Sequence, residues 1–248
     1  MQKSWKNRIV LTPTCRAFFE ELLKSDFFIK ENEQTFLVTP TCAKCNRLFG
    51  VGEVKEVEKR GNITKIKISD PTATLNIYTD KVLELGKFMA FVGNLHVREG
   101  ARKSKGVLIL VEEAGAVEEN VRNNWIMTTA RRTMERIELL RKKALPNKQW
   151  VKEAIEHYAI DDDKLDFCES VAINVVKGVW QHYSKTTKQM VLEVLEESEK
   201  SSMERVKLME KLKKRGLMEG WVEEVIDELI VEGRCYEPEV GVLKEVEA

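Results

Sequence analysis

No stretch of this 248-residue chain is long and apolar enough to cross a bilayer, which takes roughly eighteen consecutive apolar residues. The opening residues, Met1-Gln2-Lys3-Ser4-Trp5-Lys6, are basic but lack the apolar run of a secretion signal. A cytoplasmic, nucleoid-associated location is therefore expected, with no membrane partner. Excess charge is also missing, since 41 Lys and Arg are matched by 41 Asp and Glu. That balance excludes a protein that coats nucleic acid over its whole surface; any contact with phosphates must come from a local basic cluster. Histidine is scarce, and His96, His157 and His182 are scattered with no serine or cysteine nucleophile motif nearby. There is no glycine-rich phosphate loop, and Asp161-Asp162-Asp163 reads as a linker or helix cap rather than a metal triad. Neither an enzyme nor a cofactor is expected.

Five cysteines, an odd number in a chain without a secretion signal, imply reduced thiols rather than a disulfide framework. Cys42 and Cys45 have the spacing of half a tetrahedral zinc site. No second such pair occurs, and Cys15, preceded by the same Thr-Pro-Thr triplet as Cys42, is the one candidate for a third ligand. The competing reading is a set of small buried cysteines that needs no metal.

With 43% hydrophobic and 33% charged residues, the chain has the composition of a globular protein with a charged surface, and its length suits two or three units. Residues 1–35 form an N-terminal extension with a helix, begun by Thr12-Pro13-Thr14 and carrying Phe18, Phe19, Leu22 and Leu23 at helical spacing. Over 36–116 the period changes to two. Strands are expected at Leu48–Glu58, Ile63–Ser69, Leu75–Tyr78, Lys87–Arg98 and Val107–Val111, with turns at Arg60-Gly61-Asn62 and Ser69-Asp70-Pro71-Thr72. Five short strands with glycines in the first and fourth suit a small coiled barrel. Residues 117–183 return to helical spacing as a helical arm, in three helices ending near Leu145, Tyr158 and Tyr183. Residues 184–248 read helix, helix, helix, hairpin, starting with Thr187–Ser198, which is the order of a winged helix-turn-helix.

Two segments resemble a known family. Thr39-Pro40-Thr41-Cys42-Ala43-Lys44-Cys45-Asn46-Arg47, running into Leu48–Val54, resembles the opening of the OB fold in archaeal replication protein A-associated proteins. Ser69-Asp70-Pro71-Thr72-Ala73-Thr74-Leu75 is similar to that family's junction between its second and third strands. Cys42 and Ala73 stand where the pattern has Gly, so turns of a different shape are expected there. Residues Ile226–Pro238 resemble the winged helix closing replication protein A middle subunits, and also the tail of archaeal minichromosome maintenance helicases. The resemblance implies an α+β multidomain protein: a five-stranded OB barrel, helices and a winged helix. It also implies a non-catalytic subunit that binds single-stranded DNA in replication, repair and recombination, with other replication protein A subunits as partners.

In an OB fold the outer face of strands two and three, with the loops joining strands one to two and four to five, grips nucleic acid. Alternation puts Lys65, Lys67, Asn76 and Tyr78 on that face, with Lys59 and Arg60 in the first loop and Arg102, Lys103 and Lys105 in the second. Phe88, His96 and Arg98 are candidate extensions along the fourth strand. The competing reading is a solvated lysine face with Tyr78 as a packing residue. For protein contacts the candidates are Trp125, Met134 and Ile137 on the arm, whose apolar face either joins partner subunits or closes on the barrel, and Trp221 and Tyr236 in the last unit. The third helix of that unit is acidic (Glu219, Glu223, Glu224, Asp227, Glu228, Glu232), which repels a duplex and points to replication or repair proteins as its partners. The alternatives are a transcription regulator whose winged helix reads duplex DNA, and an assembly protein whose barrel has lost DNA affinity.

Overall fold

A computed structural model describes residues 13–99, 105–198, 201–217 and 219–246. The chain divides into two compact units, Met1–Val176 and Lys177–Ala248.

The first unit opens with the short helix α1 (Phe19–Leu23), then a small antiparallel sheet of β1 (Phe27–Glu31), β2 (Gln34–Val38) and β3 (Lys44–Cys45). The expected extension held only a helix. The β1–β2 hairpin was concealed because Asn32 and Glu33, both at positive φ, make its two-residue turn without a glycine. Next comes the barrel: β4 (Arg47–Arg60), β5 (Ile63–Ser69), β6 (Thr74–Thr79), β7 (Phe88–Glu99) and β8 (Lys105–Val117), closed in the order β4-β5-β6-β8-β7. All neighbours are antiparallel except β6 and β8. This is the strand order of an OB fold, and the protein is an α+β chain built on that barrel.

The alternation read from the sequence is what fills the barrel. Ile66, Ile68, Leu75, Ile77, Met89, Phe91 and Ile109 point inward and are buried. At Gly50 a Cβ would lie 2.4 Å from a ring carbon of Phe91, so only glycine lets that ring cross β4. α1 is tied to the barrel by Asp70, whose carboxylate accepts from the Phe19 N–H at 2.8 Å and also from Thr72 and Ala73. Burial raises the pKa of Asp70 against the pull of those donors.

Helices α2 (Glu119–Arg141) and α3 (Gln149–His157) complete this unit with the first part of α4 (Asp162–Glu196). Trp125 of α2 packs on Phe18 and Phe19 and donates its indole N–H to the Phe49 carbonyl at 3.1 Å. The Tyr158 hydroxyl sits inside the β1–β2 ladder, accepting from the Phe27 N–H at 3.0 Å and donating to the Val38 carbonyl at 2.7 Å.

The family-like segment Thr39–Cys42 also has a structural task. Glu21 accepts from the hydroxyls of Thr39 and Thr41, and Arg136 of α2 pairs with Glu21 at 3.2 Å. Cys42 has φ 60°, a left-handed conformation that glycine adopts freely, so the turn keeps the glycine-like backbone despite its side chain.

The second unit holds the rest of α4, then β9 (Ser202–Glu204), α5 (Arg205–Lys214), α6 (Glu219–Val231), β10 (Cys235–Glu239) and β11 (Val242–Glu245). Its sheet runs β10-β11-β9. Val191, Val194, Leu195, Leu208, Leu212, Val222, Val225, Ile226, Leu229 and Leu243 form one buried core. The two helices expected on either side of residue 184 are the single helix α4, because Ser184-Lys185-Thr186-Thr187 contains no Gly or Pro to break it. No helix among the described residues is long and apolar enough to cross a membrane.

Candidate nucleic-acid interface

The β5–β6 register sets Lys65 directly opposite Tyr78 and Lys67 opposite Asn76. Directly opposed residues share a face, so these four side chains lie together outside the barrel while Ile66, Ile68, Leu75 and Ile77 fill it. Lys67 and Asn76 are exposed; Lys65 and Tyr78 are half-buried. Across the parallel pairing Tyr78 adjoins Leu110, an exposed apolar neighbour. The strip is therefore basic and aromatic on β5–β6 and greasy on β8.

On its other side the strip meets acid. β4 sets Glu58 opposite Lys65 and Glu56 opposite Lys67, and each ammonium lies 3.5 Å from its carboxylate. Arg60 reaches the same Glu58 at 2.6 Å, and its hydrogen bond is the main cause holding that carboxyl below its usual range. Exposed pairs like these add little to stability, because water screens them. Their effect on a ligand is larger, because the face carries its own counter-ions. Sequence reasoning missed both glutamates, although the signal was present: a two-residue Gly61-Asn62 turn pairs Arg60 with Ile63, and counting back puts 58 against 65 and 56 against 67.

The other expected contacts are dispersed. Lys59 pairs with Thr64 and so points to the side opposite Lys65, where it lines a groove of about 530 Å³ with Val57, Asn62, Asp80 and Leu83 among others. Arg102 and Lys103 lie outside the described residues. Lys105 opens β8, and its side chain is outside the described ones. Because β8 runs parallel to β6, its start lies toward the Ser69–Thr74 turn, at the barrel end away from Arg60. Of the fourth-strand extensions, Phe88 is buried and His96 exposed; the Arg98 side chain is outside the described ones.

The protein-contact candidates also divide. Trp125 and Ile137 are buried within the first unit, occupied by the chain's own core, and Met134 is half-buried. Trp221 is half-buried against Trp180 and Tyr183, with ring centroids 5.5 and 4.4 Å away. Tyr236 stands exposed on β10.

The cysteine reading needs correction. Cys15 forms a bridge to Leu48 on β4, which carries its sulfur to Cys45, and the two are joined as a disulfide. Cys45 is thus not a free thiolate, and Cys42 is buried in a separate cluster with Val38 and Ile137. Burial pushes the Cys42 thiol up to about 11. Among the described residues no group of three or more His, Cys, Asp or Glu could hold a metal ion.

No protein-family model matches this sequence, and no curated protein matches it. Among solved structures it is similar to a chain of a replication protein A heterotrimer bound to ssDNA, with a TM-score of 0.38 and 10% identity, covering 48% of this chain and 94% of that one. It is similar also to a chain of the S. pombe Stn1–Ten1 complex, with a TM-score of 0.38 and 11% identity over 48% and 90%. A third likeness is the S. cerevisiae mitochondrial single-stranded DNA-binding protein Rim1, at a TM-score of 0.22 and 19% identity over 28% and 89%.

Proposed function

We propose that this protein is a non-catalytic, single-stranded DNA-binding subunit of a replication protein A-type complex, acting in replication, repair and recombination. The observation that carries this reading is the pairing of Lys65 with Tyr78 and Lys67 with Asn76 on the outer face of a closed OB barrel. Cations there attract phosphates without reading sequence, and a ring among them gives a base a surface to stack on, worth roughly 1–3 kcal/mol per base. The start of β8, at Lys105, would bound the strand's path.

The second unit, in this reading, is a winged helix that docks a replication or repair protein. Its order of helix, strand, helix, helix and hairpin supports that assignment. Its charges speak against duplex recognition. α6 is acidic, and the basic α5 with its C-cap Arg215 has internal partners: Arg205 with Asp227 at 2.8 Å and Glu237 at 3.0 Å, Lys213 with Glu219, and Arg215 with Glu197 at 3.7 Å. Half-buried Trp221 and exposed Tyr236 are the side chains we assign to the docked partner.

One observation favours a second reading. Glu56 and Glu58 neutralise Lys65 and Lys67, as they would in a barrel kept for assembly alone. A labelled oligothymidine titration decides between the two, on the full chain and on Lys65→Ala/Lys67→Ala/Tyr78→Ala. DNA binding predicts salt-sensitive affinity that the triple variant loses. Equal affinity of both proteins would remove the proposed surface.

A further inference from the structure

We propose that a cavity in the first unit, walled by α1 and the start of α4, receives an amphipathic helix of a partner protein, apolar along one face and basic beside it.

The cavity holds about 560 Å³, and Phe18, Pro40, Ile160, Leu165, Phe167 and Val171 supply its apolar lining. Apolar cavities of this size are the usual seats of ligands. The α4 wall is a helical stripe. Asp163, Phe167 and Val171 are spaced four residues apart, so they follow one face of α4 for about 12 Å. A wall of that length suits a helix whose anchor side chains recur at every turn.

The other walls are already fixed. α1 is held by the Asp70 carboxylate on the Phe19 N–H, and the Tyr158 hydroxyl is built into the β1–β2 ladder. The Thr41 hydroxyl bonds Glu21 and accepts from the Arg136 guanidinium at 2.7 Å. A preformed cavity needs little ordering when its ligand arrives.

The rim points to the charge of that ligand. Phe167 is 50% exposed there, and the Lys24 ammonium lies over its ring, 4.3 Å from the centroid and 2.7 Å from the Glu20 carboxylate. The rim thus holds an ammonium between a ring and an acid, which is the setting a partner's lysine or arginine would meet. Asp161 and Asp163 add two exposed carboxylates to the same lining. The other lysine of the lining, Lys164, turns its ammonium to the Tyr158 and Ala159 carbonyls at 2.7 and 3.0 Å. An acidic edge beside an apolar wall is complementary to a basic amphipathic helix and repels an acidic one. No residue of the cavity belongs to the Lys65–Tyr78 strip, so the proposal stands apart from the DNA reading.

Cys168 makes the cavity measurable. It lines the cavity and is half-buried, whereas the free thiols of Cys42 and Cys235 are buried. Alkylation of Cys168 in the full chain is followed by mass spectrometry, alone and with an amphipathic leucine–lysine peptide or its leucine–glutamate counterpart. The basic peptide should slow alkylation several-fold, less so at high salt, and the acidic peptide should not. Phe167→Ala and Asp163→Lys alter exposed side chains, and thermal unfolding checks that each variant keeps the fold. Measured against its own peptide-free rate, Phe167→Ala should lose the protection and Asp163→Lys should weaken it several-fold. Protection by neither peptide, or equally by both, overturns the proposal. So does protection that persists in Phe167→Ala, because the peptide then sits elsewhere. Alkylation of the chain alone that slows as its concentration rises would give the cavity to a second copy and overturn the partner helix.

Discussion

Lys67 on β5 faces Glu56 on β4 directly across the sheet, with its ammonium 3.5 Å from that carboxylate. A phosphate arriving at this face must displace a glutamate, and Glu58 repeats the arrangement at Lys65. Removing the competitors should therefore help a DNA ligand. Glu56→Gln/Glu58→Gln is expected to bind oligothymidine several-fold more tightly than wild type, with a steeper salt dependence. Fluorescence anisotropy over a salt series checks this. Unchanged affinity would mean that no phosphate approaches these lysines.

Gly50 and Phe91 make the second prediction. The methyl of Gly50→Ala would sit 2.4 Å from the Phe91 ring, which is buried and has nowhere to move. Overpacking of this kind costs about 1–3 kcal/mol. Urea unfolding should show that loss, and Phe91→Leu in the same chain should recover part of it. A Gly50→Ala protein of wild-type stability would mean that the ring does not cross β4 as described.

The five barrel strands and their inward residues were legible because a period of two writes core and surface into alternate positions. Ile66 and Ile68 against Lys65 and Lys67 is the clearest case. What stayed hidden depends on register or on distant partners. Glu56 and Glu58 become neighbours of the lysines only once the 61–62 turn is counted, and Cys15 meets Cys45 only because its segment lies along β4. Thr39 and Thr41 announced a family-like segment but not the Glu21–Arg136 pair they support, which links residues over a hundred positions apart. The arm's apolar stripe could not say what it packs against; burial of Trp125 and Ile137 settles that for those two side chains.

Glu112 gives a pH prediction. Its carboxylate is held below the usual range chiefly by the Arg47 hydrogen bond, with Asn94 helping, so it links β8 to β4 and β7. A depressed folded pKa contributes stability that is fully present above the unfolded value, about 4.3 for Glu, and is lost as pH falls through the folded value. Glu112→Gln should therefore be less stable than wild type near neutrality, with the gap closing as the pH is lowered below about 4. Thermal unfolding of both proteins across that range is the measurement, and a gap that stays constant would show that Glu112 does not titrate against Arg47.

The Cys15–Cys45 bond separates the structure from the expectation of reduced thiols most directly. Closing a loop with a sequence separation of 30 constrains the unfolded chain. Chain-entropy reasoning gives roughly 3–4 kcal/mol for a loop of that size. Reductant should lower the urea midpoint of the wild type and leave Cys15→Ser/Cys45→Ser unaffected. A thiol count supplies an independent check. Denatured without reductant, the protein should expose three thiols, those of Cys42, Cys168 and Cys235, and after reduction all five. In the folded protein the three should react slowly, because burial pushes each up to about 11 and leaves little thiolate near neutrality. Five thiols before reduction would refute the bond. Zinc in the purified protein would then revive the Cys15, Cys42 and Cys45 ligand set, whereas its absence would leave three small cysteines packed by their apolar surface alone.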